Sequence, residues 1–249
     1  MTATTDARAQ FERAELPSRS LRAYTRTAGL LFLLTIVGGG IGEMYAPSKL
    51  IASADAALTA EKLRNSETLF RVGFASYLVE GLCDVALAWI LYVLLRPVHR
   101  DLALLAAFFG IVSTALFGFA ELFYFSSTLV LRNADYLKAF SSEQRNALAL
   151  LSLKTYALGG GIFMAFYGIA WLLRAYLIFR SGYLPRFIGF LFALAGLGFV
   201  LKNFTMVLAP KYGSDLFLLP MFVAVVSLTT WLLTKGIDVA QWEAKVAAK

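Results

Sequence analysis

The chain has one cysteine and one histidine among 249 residues. The single cysteine, Cys83, excludes an internal disulfide. The single histidine, His99, sits in the short polar stretch RPVHRD. Its isolation removes the zinc and non-haem iron sites that draw on several histidines, and any Ser-His-Asp arrangement within the apolar segments. Charge is scarce too: 16% of residues are charged, against about 25% in an average soluble domain. The net charge of +7 would suggest nucleic acid in a soluble protein, but no basic, aromatic-studded soluble segment exists, so no nucleic-acid partner is expected.

Apolar residues are plentiful. They make up 59% of the chain, and the mean hydropathy is +0.69, values of the membrane class. A helix crossing a hydrocarbon core of about 30 Å needs roughly 20 mainly apolar residues. Segments 27–46, 70–95, 103–124, 156–179, 187–208 and 216–235 qualify. The expected fold is therefore all-α: an integral membrane bundle of six transmembrane helices in one domain over residues 23–235, with the lipid bilayer as its first partner. Residues 1–22 read as a mobile cytoplasmic tail, and 236–249 as a second, carboxyl-terminal cytoplasmic tail. The first apolar run is too long for the core of a cleavable signal.

Connections at 96–101, 180–186 and 209–215 are short, which makes consecutive spans antiparallel neighbours. Two outer loops are longer and predict short helices. One holds SADAALTAEKLRNSETLF. In the other, Ser141 and Gln144 have capping-box spacing. A helix from there to Phe179 would be about 57 Å long, so it must project from the membrane or bend at Gly159-Gly160-Gly161. With the amino terminus inside, 13 of the 23 basic residues, Arg174 included, fall on the cytoplasmic side. They crowd into short loops, so both termini are expected in the cytoplasm. GGGI at Gly38 and again at Gly159 hints at an inverted repeat.

Within the second span, Glu80 and Asp84 lie one turn apart. On a helical wheel they share a face with Gly73, Ser76, Tyr77, Cys83 and Leu87, while Leu78, Leu82, Val85 and Trp89 lie opposite. A charge facing lipid at mid-depth costs at least about 2.5–3.5 kcal/mol, so the polar stripe must turn inward. Glu43 sits with Gly39 and Gly40, and Glu121 with Gly110, Thr114 and Gly118. Lys154 sits with Gly161, Ala165 and Gly168, and Lys202 with Ala195 and Gly198. Small residues allow close helix approach. The expected site is a funnel of polar groups closing near Asp84, with Tyr77 and Asn203 adding hydrogen bonds and Arg71 reaching in. Trp89, Trp171 and Trp231 read as lipid-contact or interface anchors.

The segments RTAGLLFLLTIVGG, SETLFRVGFASYLVEGLCDVALAWILYVLLRPVHRDLALLAAFFGIV, ADYLKAFSSEQRNALALL and YLIFRSGYLPRFIGFLFALAGLGFVL together resemble the bacterial multi-pass membrane proteins grouped as domain of unknown function 4386. The likeness spans Tyr24 to Lys235. It implies a helical protein of the bacterial cytoplasmic membrane and brings no catalytic residue with it.

The functional expectation is binding or transport of a small solute, cation or proton by Glu80, Asp84, Glu121 and Glu43, with Tyr77, Lys202, Asn203 and Lys154 beside them and no cofactor. One alternative is a structural, sensory or accessory subunit, in which the carboxylates pair with Lys202 or Lys154 and fix helix register. A more remote one is an intramembrane hydrolase using two carboxylates as acid and base.

Overall fold

The structure is a computed structural model describing residues 18–248. The mobile-tail expectation falls mostly on residues 1–17, outside the described residues, and the chain is helical from Ser18. In chain order the helices are α1 (Ser18–Gly39), α2 (Ala46–Leu50), α3 (Ala56–Asn65), α4 (Glu67–Leu95), α5 (Arg100–Leu129), α6 (Ser142–Ser181), α7 (Arg186–Leu208), α8 (Leu219–Thr234) and α9 (Val239–Ala247). A π-helical segment, Gly40–Tyr45, joins α1 to α2. The described residues contain no strand. Six stretches are long and apolar enough to cross a membrane: Ser20–Leu50, α4, α5, α6, α7 and Asp215–Thr234.

Each spanning helix packs chiefly against its neighbours in the chain, and α8 packs back on α1, which closes the six into a ring. Helix α6 sets its length. Ser141 and Gln144 form the reciprocal capping box at its start, and Gly182, at φ 82°, ends it in the left-handed region. The 40 residues run unbroken through Gly159–Gly161 for about 60 Å, twice the hydrocarbon thickness. The helix is continuous at the glycine triplet, and its length exceeds what a bilayer crossing requires. Helix α3 packs on the side of α6.

Glycine sets the α6–α7 separation. A Cβ on Gly168 would stand 2.8 Å from the carbonyl oxygen of Gly196, and one on Gly196 equally close to that of Gly168. The backbones therefore touch, as small residues permit. This crossing brings Phe192 and Phe199 over Trp171, which is 2% exposed and stacks on Phe192 with ring centroids 4.2 Å apart. Trp171 is thus a core residue and not a lipid anchor. Trp89 is exposed and Trp231 half-buried.

The larger core lies toward the end of the ring that holds both described termini, built from Leu21, Leu94, Ile178, Phe192, Leu232 and Trp242 among others. Residues 239–247, expected as part of a tail, form a helix docked there. Trp242 Nε1 and Tyr183 Oη both donate to the Leu94 carbonyl, at 3.0 and 2.7 Å. They satisfy an acceptor that the end of α4 leaves without a helical partner.

Candidate functional site

The site begins with α4. Leu78, Leu82, Val85 and Trp89 are exposed, and Gly73, Tyr77, Cys83 and Leu87 buried. Between these buried positions, Glu80 and Asp84 are half-buried. Glu80 lies near the middle of its helix, and its carboxylate leans on α1. Both oxygens stand 3.5 Å from where a Cβ on Gly39 would begin. Its charged neighbours are Glu43, Asp84 and Glu121. Glu121, on α5, is buried. Among the described residues, neither of its carboxyl oxygens, nor Oε2 of Glu80, has a hydrogen-bond partner.

The π-helical segment shapes the α1 side. The Ala46 amide bonds to Ile41 O, in the i→i−5 register. The next bond in that register would run from residue 47 to Gly42 O, but Pro47 has no N–H. The Tyr77 hydroxyl donates to this freed carbonyl at 2.6 Å. Its one proton being used, it accepts from Tyr156 at 2.7 Å, so the chain of donors runs Tyr156 to Tyr77 to Gly42. Tyr124 packs edge-on against both tyrosines and stacks on Phe70. Its hydroxyl has no partner among the described residues. Three phenols thus surround the approach to Glu121. The kink-prone π turn places Glu43 at the rim, where its side chain is exposed.

A buried cation appears where the sequence reading had none. Arg174 on α6, counted there among the cytoplasmic loop residues, is 5% exposed. Gly110 on α5 makes the space for it, since a Cβ on Gly110 would fall 2.7 Å from an Arg174 terminal nitrogen. Asp84 and Tyr167 are its electrostatic neighbours. Asp84 is not within ion-pair distance, because the ion pairs of the described residues are Arg71–Glu67, Lys138–Asp135 and Lys202–Asp215. The sequence clue was available: Arg174 lies seven residues before the end of α6, two turns inside, and opposite a glycine on the preceding span.

The lysines behave differently from the carboxylates. Lys202 pairs at 2.8 Å with Asp215, in the loop following α7, and not with Glu80 or Asp84. Lys154 is exposed and makes no ion pair or hydrogen bond among the described residues. Arg71 does not reach inward. It is held at 2.6 Å by Glu67, one turn earlier on the surface. Asn203 is buried against Gly161, its amide donating to Phe199 O of its own helix. The described residues that converge in the interior are Glu80, Asp84, Glu121, Tyr77, Tyr124, Tyr156 and Arg174. No three His, Cys, Asp or Glu among them are grouped as a metal-ligand set.

The family described as Domain of unknown function (DUF4386) matches residues 27–236. An uncharacterized protein of Archaeoglobus fulgidus is 30% identical over 153 residues, covering 61% of this chain and 76% of that protein. No solved structure matches the chain.

Proposed function

The chain belongs to the family described as Domain of unknown function (DUF4386), a description that names no activity, and we propose from its geometry that it binds and moves a proton or small cation across a membrane through Glu121, Glu80 and Asp84. The observation that carries this reading is the Glu121 carboxyl group, buried in the ring with neither oxygen partnered among the described residues. A buried, unpaired carboxylate costs several kcal/mol in its charged form, at about the scale of a whole domain's stability. A proton or a cation removes that cost. Of the three carboxyl groups, Asp84 has the buried guanidinium of Arg174 as its electrostatic neighbour, while Glu80 and Glu121 neighbour other carboxyl groups, so the set carries a formal excess of two negative charges.

The carboxylates lie along α4 and α5, and no three of them among the described residues form a metal-ligand group, an arrangement that suits protons or a compact organic ammonium passed between sites better than one tightly held metal ion. Toward the terminal end, Arg174 and the packed Trp171–Phe192 layer close the interior. Access is from the opposite end, past Glu43 and the tyrosines. The terminal end carries Arg22, Arg26, Arg96, Arg100, Arg180, Arg186, Lys235 and Lys245 on short segments. This distribution supports placing both termini in the cytoplasm, in a bacterial cytoplasmic membrane.

The test uses the purified protein in vesicles enclosing a pH-sensitive dye, with acid pulses applied outside. Internal acidification faster than in empty vesicles, and lost in Glu121→Gln, supports the reading. Sodium or methylammonium gradients in place of acid distinguish a cation from a proton. Wild-type vesicles that match empty ones for all three probes overturn it.

A further inference from the structure

A second site lies outside the carboxylate interior, at the end of the ring away from the termini. A cavity of about 190 Å³ opens between α3, the first turns of α4 and the last turns of α5. Three arginines line it, from three separate segments: Arg64 on α3, Arg71 on α4 and Arg132 in the loop after α5. Glu67 is the one acidic lining residue and is engaged by Arg71 through Nε and Nη2, both donating to a single oxygen. The lining therefore carries a formal charge of +2. Its other wall is apolar, with Phe70 and Phe125 at its back. Arg64 is braced by Asn146 near the start of α6 at 3.1 Å, so that long helix fixes one edge of the cavity.

Depth suits an interfacial ligand. The 29 residues of α4 span about 44 Å, some 14 Å more than the hydrocarbon core, which leaves Glu67 and Arg71 at headgroup level. Guanidinium groups recognise phosphate oxygens through paired, charge-assisted N–H donors. A cation cluster facing one way and aromatic rings facing the other match a molecule with a phosphate joined to an apolar body.

We propose that this cavity binds the phosphate of an anionic amphiphile, held by Arg64, Arg71 and Arg132 with its apolar part against Phe70 and Phe125. The same oxygen chemistry is offered by a phospholipid headgroup and by free phosphate, and the experiment separates the two. The purified full chain in neutral detergent is melted with phosphatidylglycerol, phosphatidylcholine or inorganic phosphate, and bound lipid is counted by native mass spectrometry.

Stabilisation and retention of phosphatidylglycerol above phosphatidylcholine identifies a lipid headgroup site. Stabilisation by inorganic phosphate with no lipid preference identifies a soluble phosphate site. In either case the Arg64→Gln/Arg132→Gln double variant binds the active probe about tenfold or more weakly, as expected for losing two charged donors. Arg64→Lys/Arg132→Lys, which preserves the charge, recovers part of that affinity. Both side chains are exposed, so these variants leave the packed interior alone. Equal responses to the two lipids with none to phosphate, or a glutamine variant that binds like wild type, overturns the proposal.

Discussion

The carboxylate of Glu80 lies against the backbone of Gly39, on the neighbouring span, with both oxygens 3.5 Å from the missing Cβ position. The absence of a side chain there is what leaves room for an acidic group near the middle of α4 to lean on α1. Alanine at this position meets only ordinary van der Waals distances, whereas a longer side chain must displace the carboxylate. Gly39→Ala is expected to keep both melting temperature and vesicle acidification near wild type. Gly39→Leu is expected to remove acidification. Transport assays beside melts in detergent decide this, and a fully active Gly39→Leu would show that the Glu80–Gly39 contact is incidental.

Tyr77 and Tyr156 make unequal contributions. Removing the Tyr77 hydroxyl leaves Gly42 O and the Tyr156 hydroxyl unpaired inside the bundle. Removing the Tyr156 hydroxyl deletes one donor and leaves the Tyr77–Gly42 bond intact. Tyr77→Phe should cost about 2 kcal/mol and Tyr156→Phe about 1 kcal/mol. Unfolding in mixed micelles checks the order. A larger loss from Tyr156→Phe would reverse the donor direction assigned to the chain.

The α6–α7 crossing offers a contrast within one helix. A Cβ at Gly168 would meet the Gly196 carbonyl at 2.8 Å, and one at Gly160 would meet nothing nearer than 4.0 Å. Gly168→Val must push two backbones apart and is expected to destabilise by about 1–3 kcal/mol or more. Gly160→Ala is expected to be neutral or mildly stabilising, since alanine is the better helix former. Melting of the two variants in parallel provides the comparison.

The same glycines show how much of the architecture was legible in advance. Hydropathy located all six spans, the Ser141–Gln144 spacing located the start of α6, and the α4 wheel separated Glu80 from Leu82, because these depend on one helix at a time. Partners across helices were less visible. Lys202 found Asp215, a residue in a loop whose path hydropathy does not describe. Arg174 reads as a cytoplasmic-side charge because positive charges near span ends are common, whereas its room inside the bundle comes from Gly110 on another helix. By residue type Trp171 reads as a lipid-contact or interface anchor, yet the α6–α7 glycine contact brings Phe192 across it. At the π-helical segment Gly40–Tyr45, Pro47 marks locally the carbonyl that loses its donor, but the partner that serves it, Tyr77, comes from another helix and is invisible to a one-helix reading.

Docking of α9 supplies a fourth test. Trp242 is 2% exposed and donates to the same Leu94 carbonyl as Tyr183. Trp242→Phe keeps most of the packing and loses one donor while Tyr183 still serves the acceptor, so a loss of about 1 kcal/mol is expected. Trp242→Ala also opens a cavity, at about 3–5 kcal/mol. Protease sensitivity of residues 236–248 should rise in the alanine variant alone. Equal sensitivity in wild type would mean that α9 is not held against the bundle.

Proton and cation compete for one set of buried carboxyl groups if Glu121 and Glu80 form the site, and that competition can be read directly. Sodium or methylammonium chloride is added to the purified protein in weakly buffered detergent near neutral pH, and proton release is followed with an indicator dye. Wild type is expected to release protons saturably with at least one of the two cations, and Glu80→Gln/Glu121→Gln to release none. No release from wild type with either cation, or the same release from the double variant, would contradict a cation site at these residues.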